Sequence, residues 1–295
     1  MQISSTALRA KRSCASGFRW FSRRFESPAE YQSVIDALIA DGRVDDACWL
    51  LDQFGPIESV LVVDAISAEA LVYAGSVHVR GEVEVEVDGV LRIGGTLRPA
   101  GSIRAGQAVS VGVNLHTGAG LRTLGALRIG GDLVSAWSVE VHGPLTCGGD
   151  LRVRGALTCG ATLRGAGSLV VAKDVEVHGM IDCAKSLQVG GDLVCTEGLR
   201  AGHGIQVGQS VRSGMHIDAG WGIVAGSDVT GEGAIRAGEC VISGGCVRPG
   251  SGFSVYAGLS ARRDAWSSCG RVVSRTRPES LLSGFWDGDP CATLA

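Results

Sequence analysis

The 295-residue sequence predicts an all-β fold: a parallel β-solenoid, wound as a triangular β-helix with three hexads to a turn, and a short α-helical N-terminal cap. Three observations carry the prediction. Stepping by six from Leu91 meets an aliphatic or aromatic side chain at every position through Phe253, 28 consecutive hexads without insertion or deletion. Two residues after each stands mostly Val, Ile, Ala, Cys, Ser or Thr, so that alternate side chains of a short strand face inward. Glycine, with 45 residues, has roughly twice its average share. It gathers at the fourth and fifth hexad places, as in Leu127-Arg-Ile-Gly-Gly-Asp and Leu187-Gln-Val-Gly-Gly-Asp, where it lets the backbone bend.

Three such bends close one coil. Leu199-Arg-Ala-Gly, Ile217-Asp-Ala-Gly and Ile235-Arg-Ala-Gly recur 18 apart, and Val139-Glu-Val-His-Gly returns two turns on, from Val175. Other classes fail on composition. Seven prolines are too few for collagen, and a net charge of -3 with 45% hydrophobic residues is not that of a disordered chain. No apolar run is long enough to cross a bilayer, and ten cysteines are too sparse for a disulfide scaffold.

Four segments follow in order. Residues 1–27 carry six basic groups and one acid, Glu26. That composition suits a transit peptide or a basic extension without fixed structure, and the latter is expected. Residues 28–56 read as two helices forming the cap, the first opened by Ser27-Pro28 and closed by Asp41-Gly42, the second running from Val44 to Phe54. A cap is needed because a solenoid otherwise exposes strand edges and a slice of its core. The coil spans 57–259, with Leu71, Val77 and Val83 continuing the series upstream and one two-residue slip before Leu91. Residues 260–295, with Trp266, Phe285 and Trp286, form a second cap or a docking tail.

Catalytic and metal signatures are not apparent. His142 and His178, in the repeated Val-Glu-Val-His-Gly, stand two turns apart, roughly 10 Å by strand spacing, too far to share one metal. Cys147, Cys159, Cys183 and Cys195 fall on the second inward position and read as core thiols, reduced in a cytoplasmic setting. Gly-His-Gly at 202–204 reads as a corner. Neither a P-loop nor a dinucleotide-binding turn occurs. No cofactor and no metal is expected.

The aliphatic-x-aliphatic-x-Gly rhythm over residues 71–258 resembles the bactofilins, polymer-forming bacterial cytoskeletal proteins. The resemblance implies assembly through exposed solenoid ends, with short disordered tails. This chain departs from that pattern by its helical segment before the coil and its aromatic tail after it. Hexapeptide acyltransferases share the triangular coil, but their repeat places a small or acidic residue after the aliphatic. Here that place holds Arg92, Arg98, Arg104, Arg128 and Arg152, and no loop interrupts the coil.

The function expected is therefore a non-enzymatic, protein-binding solenoid, monomeric or a small oligomer, that engages neither nucleic acid nor membrane. The concrete expectation is a cytoplasmic bacterial immunity protein that occludes a basic toxin domain. Residues 28–90 hold 13 acids and two arginines, and Glu82, Glu84, Glu86 and Asp88 share one strand face suited to a basic partner. A second candidate surface is the outward column Val134, Val170, Val224 and Ile242 on one side of the rod, with Trp137 at a corner. The competing reading of that column is that Trp266 and Trp286 of the tail fold back over it.

Overall fold

The computed structural model describes residues 1–82 and 84–288, with only the backbone of Arg263. Three parallel sheets of 13, 11 and 12 strands form the walls of a triangular coil of about 12 turns. The first sheet starts at Val60–Val63, the second at Ser67–Ala68 and the third at Leu71–Tyr73. Through the regular stretch the strands are short, and each pairs with the strand three hexads on, as Leu127 with Leu145 and Leu145 with Leu163. Leu127 and Ile129 are buried while Arg128 between them is exposed, and the pattern repeats rung after rung to build one continuous aliphatic core.

Three local devices hold the rungs in register. At glycine corners the backbones approach too closely for a side chain: a Cβ on Gly130 would stand 2.0 Å from the Gly112 carbonyl oxygen. The expected reason, relief of backbone strain, is not the operative one, since Gly112 and Gly130 are not among the positive-φ glycines. At the last hexad place, Asp132 Oδ1 accepts from the Asp150 N–H at 2.8 Å, and Asp150 Oδ1 accepts from Ser168 N–H at 2.9 Å. This explains the recurrent Gly-Gly-Asp. At the second inward place, Ser135 Oγ donates to the Ala119 carbonyl at 3.0 Å, Cys147 Sγ to Gly131 at 3.2 Å and Cys183 Sγ to Gly167 at 3.2 Å. Serine and cysteine interchange there because each donates one hydrogen to a corner carbonyl.

Residues 1–27 differ from expectation. They carry helix α1 (Ser5–Ala10) and helix α2 (Ala15–Arg24), and Gln2–Ile3 pairs antiparallel with Ala29–Glu30. Ile3, Leu8 and Phe21 are buried with Tyr31, Val34, Ile35, Leu38 and Leu50 of helices α3 (Tyr31–Ala40) and α4 (Val44–Phe54). The basic side chains remain outside, so their abundance hid an apolar face made by Phe18, Phe21 and Phe25. Helix α3 starts at Tyr31, not at Pro28, because Ala29–Glu30 is committed to strand pairing; Glu30 caps it by accepting from Ser33 N–H at 2.6 Å.

The four-helix lobe covers the edge of one sheet. The Gln32 side-chain amide donates to Val72 O at 3.2 Å and accepts from Ala74 N–H at 2.9 Å, standing in for the strand that the third sheet lacks there. Val72 itself is buried against the lobe. The edge strand of the first sheet stays open, with Val60 55% and Val62 47% exposed. The upstream slip also moves: Val85, not Val83, occupies the rung position opposite Ile103, so the two extra residues precede Val85. Val83 lies outside the described residues.

At the other end, Phe253 is exposed and Val255 takes the inward place, two residues later, opposite Ile235. The coil does not stop at 259. Arg271–Val273, Leu281–Ser283 and Phe285–Trp286 add further strands to the third and first sheets, and a short helix α5 (Trp266–Cys269) precedes them. Trp286 Nε1 donates to Ser274 O at 3.2 Å.

Two outcomes follow from these contacts. Replacing Cys183 with Ser is expected to change unfolding free energy by under about 1 kcal/mol, whereas Cys183→Val leaves the Gly167 carbonyl without its donor and costs about 1–3 kcal/mol in urea titration. Gln32→Ala is expected to accelerate amide exchange at Ala74, read by hydrogen–deuterium exchange, because that N–H loses its acceptor.

Candidate binding surfaces

The outward residues of the first sheet form a column set by its register: Val134, Arg152, Val170, Gln188, Gln206, Val224 and Ile242 are successive neighbours. Val170, Val224 and Ile242 come together in one shallow trough of about 470 Å³, with Gln188 and Gln206 between them. The trough exists because the adjoining corner is glycine at four successive rungs. A Cβ on Gly208, Gly226 or Gly244 would stand 2.1 Å from the carbonyl oxygen of the glycine one rung below, so no side chain walls that flank. Val224 is 37% exposed.

The structure separates the remaining members of this group. Arg152 stands between Val134 and Val170, and Trp137, 69% exposed, sits two rungs before the trough. Among the described residues the tail does not cover the column. Its strands extend the first sheet end on, and the Trp266 ring packs near Gly258 and Gly270 instead.

The acidic residues lie on one rung, around the strand Val85–Val87 of the second sheet. Glu82, Glu84, Glu86 and Asp88 are all exposed. Glu86 is in register with Arg104, whose guanidinium lies 3.7 Å from Glu84 and 3.9 Å from Glu86. Half of this acidic face is thus tempered by the next rung's arginine, while Glu82 and Asp88 make no ion pair among the described residues.

Of the histidines, His142 and His178 each bond the Glu of their own strand, Glu140 at 2.8 Å and Glu176 at 3.1 Å. Among the described residues no three His, Cys, Asp or Glu side chains gather where they could hold a metal ion. The thiols of Cys147, Cys159, Cys183 and Cys195 have their pKa raised by burial.

One cavity was not foreseen. The helical lobe encloses about 310 Å³ lined by Leu8, Trp20, Phe21, Leu38, Trp49 and neighbours, with Cys14 on its rim. Hydrogen bonds from Ser16 and the Gly17 N–H lower the Cys14 pKa. The available signal was the aromatic cluster at Phe18, Trp20 and Phe21, outweighed by the surrounding arginines. Among the described residues no helix is long and apolar enough to cross a membrane.

No curated protein and no solved structure matches the chain. Residues 1–54 match the family model of the YdhT N-terminal domain, a boundary that coincides with the last residue of helix α4 and so sets the helical lobe apart from the coil that follows.

Proposed function

We propose that this protein is a non-enzymatic solenoid that binds another protein, and that the trough on the first sheet is its contact surface. The observation that carries this reading is the alignment of half-buried Val170 and Ile242 with exposed Val224 over a glycine flank, left open by the described residues of the tail. An apolar strip with two central amides, Gln188 and Gln206, suits a protein contact. The acidic rungs favour a basic partner, and a toxin domain neutralised in a bacterial cytoplasm is the concrete form of the proposal.

A second reading has its own support. Val60 and Val62 at one end and Leu282, 69% exposed, at the other leave strand edges that a further copy can extend. A bactofilin-like scaffold would use those edges, and electron microscopy of the purified chain for filaments separates it from the first reading.

The test of the trough uses the polypeptide encoded beside this protein as the binding partner in calorimetry. Val170→Asp with Val224→Asp is expected to weaken the complex at least tenfold with unchanged circular dichroism and Tm. Glu84→Lys with Glu86→Lys is expected to slow association and to reduce its salt dependence. A complex indifferent to both pairs of changes removes this surface from consideration.

A further inference from the structure

The outward column of the third sheet has a period the hexad does not require. From Arg92 it runs Arg92, Ser110, Arg128, Thr146, Arg164, Asp182, Arg200, Asp218, Arg236, each in register with the next. Arginine therefore returns every second rung, roughly 10 Å apart by strand spacing. What stands between the arginines changes along the rod.

In the later half the intervening residue is a carboxylate. Asp218 Oδ1 takes the Arg236 guanidinium at 3.3 Å, and Arg200 has an aspartate on either side. In the earlier half the intervening residue is a hydroxyl. Arg92 donates to Ser110 Oγ at 3.1 Å and pairs with Asp52 of the helical lobe, so both terminal nitrogens are engaged while its buried Nε has no partner among the described residues. Arg128 and Arg164, both exposed, flank Thr146 and make no salt bridge or side-chain hydrogen bond among the described residues. The nearest corner acids are occupied: Asp132 and Asp150 each accept a backbone N–H, and Asp150 also pairs with Arg152. Residues 91–170 carry eight arginines against three acids.

We infer that Arg128, Thr146 and Arg164 form a carboxylate-binding site for an acidic segment of a partner protein. Asp218, which pairs with Arg236, shows the occupant that this spacing accepts. Thr146 lies between two arginines that make no salt bridge among the described residues, although Arg164 also has Asp182 in register on its other side. Each arginine stands in register one rung from Thr146, so a carboxylate above Thr146 can take a donor from either side and a third from the hydroxyl. This surface is on a different wall from the trough and does not depend on it.

The test is fluorescence anisotropy of the full chain with a labelled oligo-glutamate peptide at low and at physiological salt. Saturable binding is expected. Arg128→Gln with Arg164→Gln should weaken it at least tenfold, and Arg200→Gln, set between two aspartates, by less than twofold. Thr146→Asp, which supplies the carboxylate internally, should abolish binding while Tm holds or rises. No binding by the parent chain, or binding that survives Thr146→Asp at unchanged Tm, overturns the proposal. So does binding of a single-stranded oligonucleotide in preference to the peptide with the same sensitivity to Thr146→Asp, which would assign the site to phosphate.

Discussion

The fixed register between rungs, three hexads from strand to strand, is the constraint on which the rest of this molecule depends. Once a strand pairs with the strand one coil on, every side chain is stacked on its counterpart above and below, and each outward position becomes a column. Columns of like function are then built from residues far apart in sequence: the aspartates that accept backbone N–H groups, the serines and cysteines that donate to corner carbonyls, the glycines whose backbones nearly touch. A substitution is therefore tested against two neighbours of its own column before it meets anything else, as nearest-neighbour coupling in repeat proteins implies. The candidate surfaces inherit the same logic. The trough is a column of valine, glutamine and isoleucine beside a column of glycine, and neither would exist without the other.

The coil was legible because burial alone enforces its period. Leu127, Leu133 and Val139 all face the axis, and an aliphatic side chain every sixth place has no other explanation at such length. The ends were less legible for a physical reason. Where a rung is longer, as between Leu71 and Leu91 or Ile235 and Val255, the inward position moves by two places, and a fixed step lands on Val83 or Phe253 instead. Strands such as Arg271–Val273 follow a helical excursion and share no phase with the hexads, so pairing, not spacing, brings Val272 opposite Val241. The helical lobe was half read: α3 and α4 follow their apolar spacing, but in α2 the arginines on the outer face outnumbered the cue given by Phe18 and Phe21.

For the candidate sites, sequence placed the residues on walls but not in groups. Assigning hexads to faces in rotation puts Val134, Val170, Val224 and Ile242 on one wall, and the register agrees. It does not reveal that the glycine flank opens a trough beneath only part of that column. Likewise the acids near Glu84 read as one charged face until Arg104 is seen reaching back across a rung. Long charged side chains span the distance between rungs, so the charge of a column is set jointly with that of its neighbours.

The alternating arginine column has a consequence for how such a rod can change length. The backbone repeats with every coil, but the order of side chains on the third wall repeats only with every second coil. Loss or gain of a single coil inside that stretch would leave the core intact and yet place arginine against arginine, or two of the intervening residues together, on the outside. Loss or gain of two coils preserves both. The Val-Glu-Val-His-Gly echo between Val139 and Val175 has that same spacing. A change of length by a pair of coils, roughly 10 Å, is thus the smallest that keeps the order of this wall.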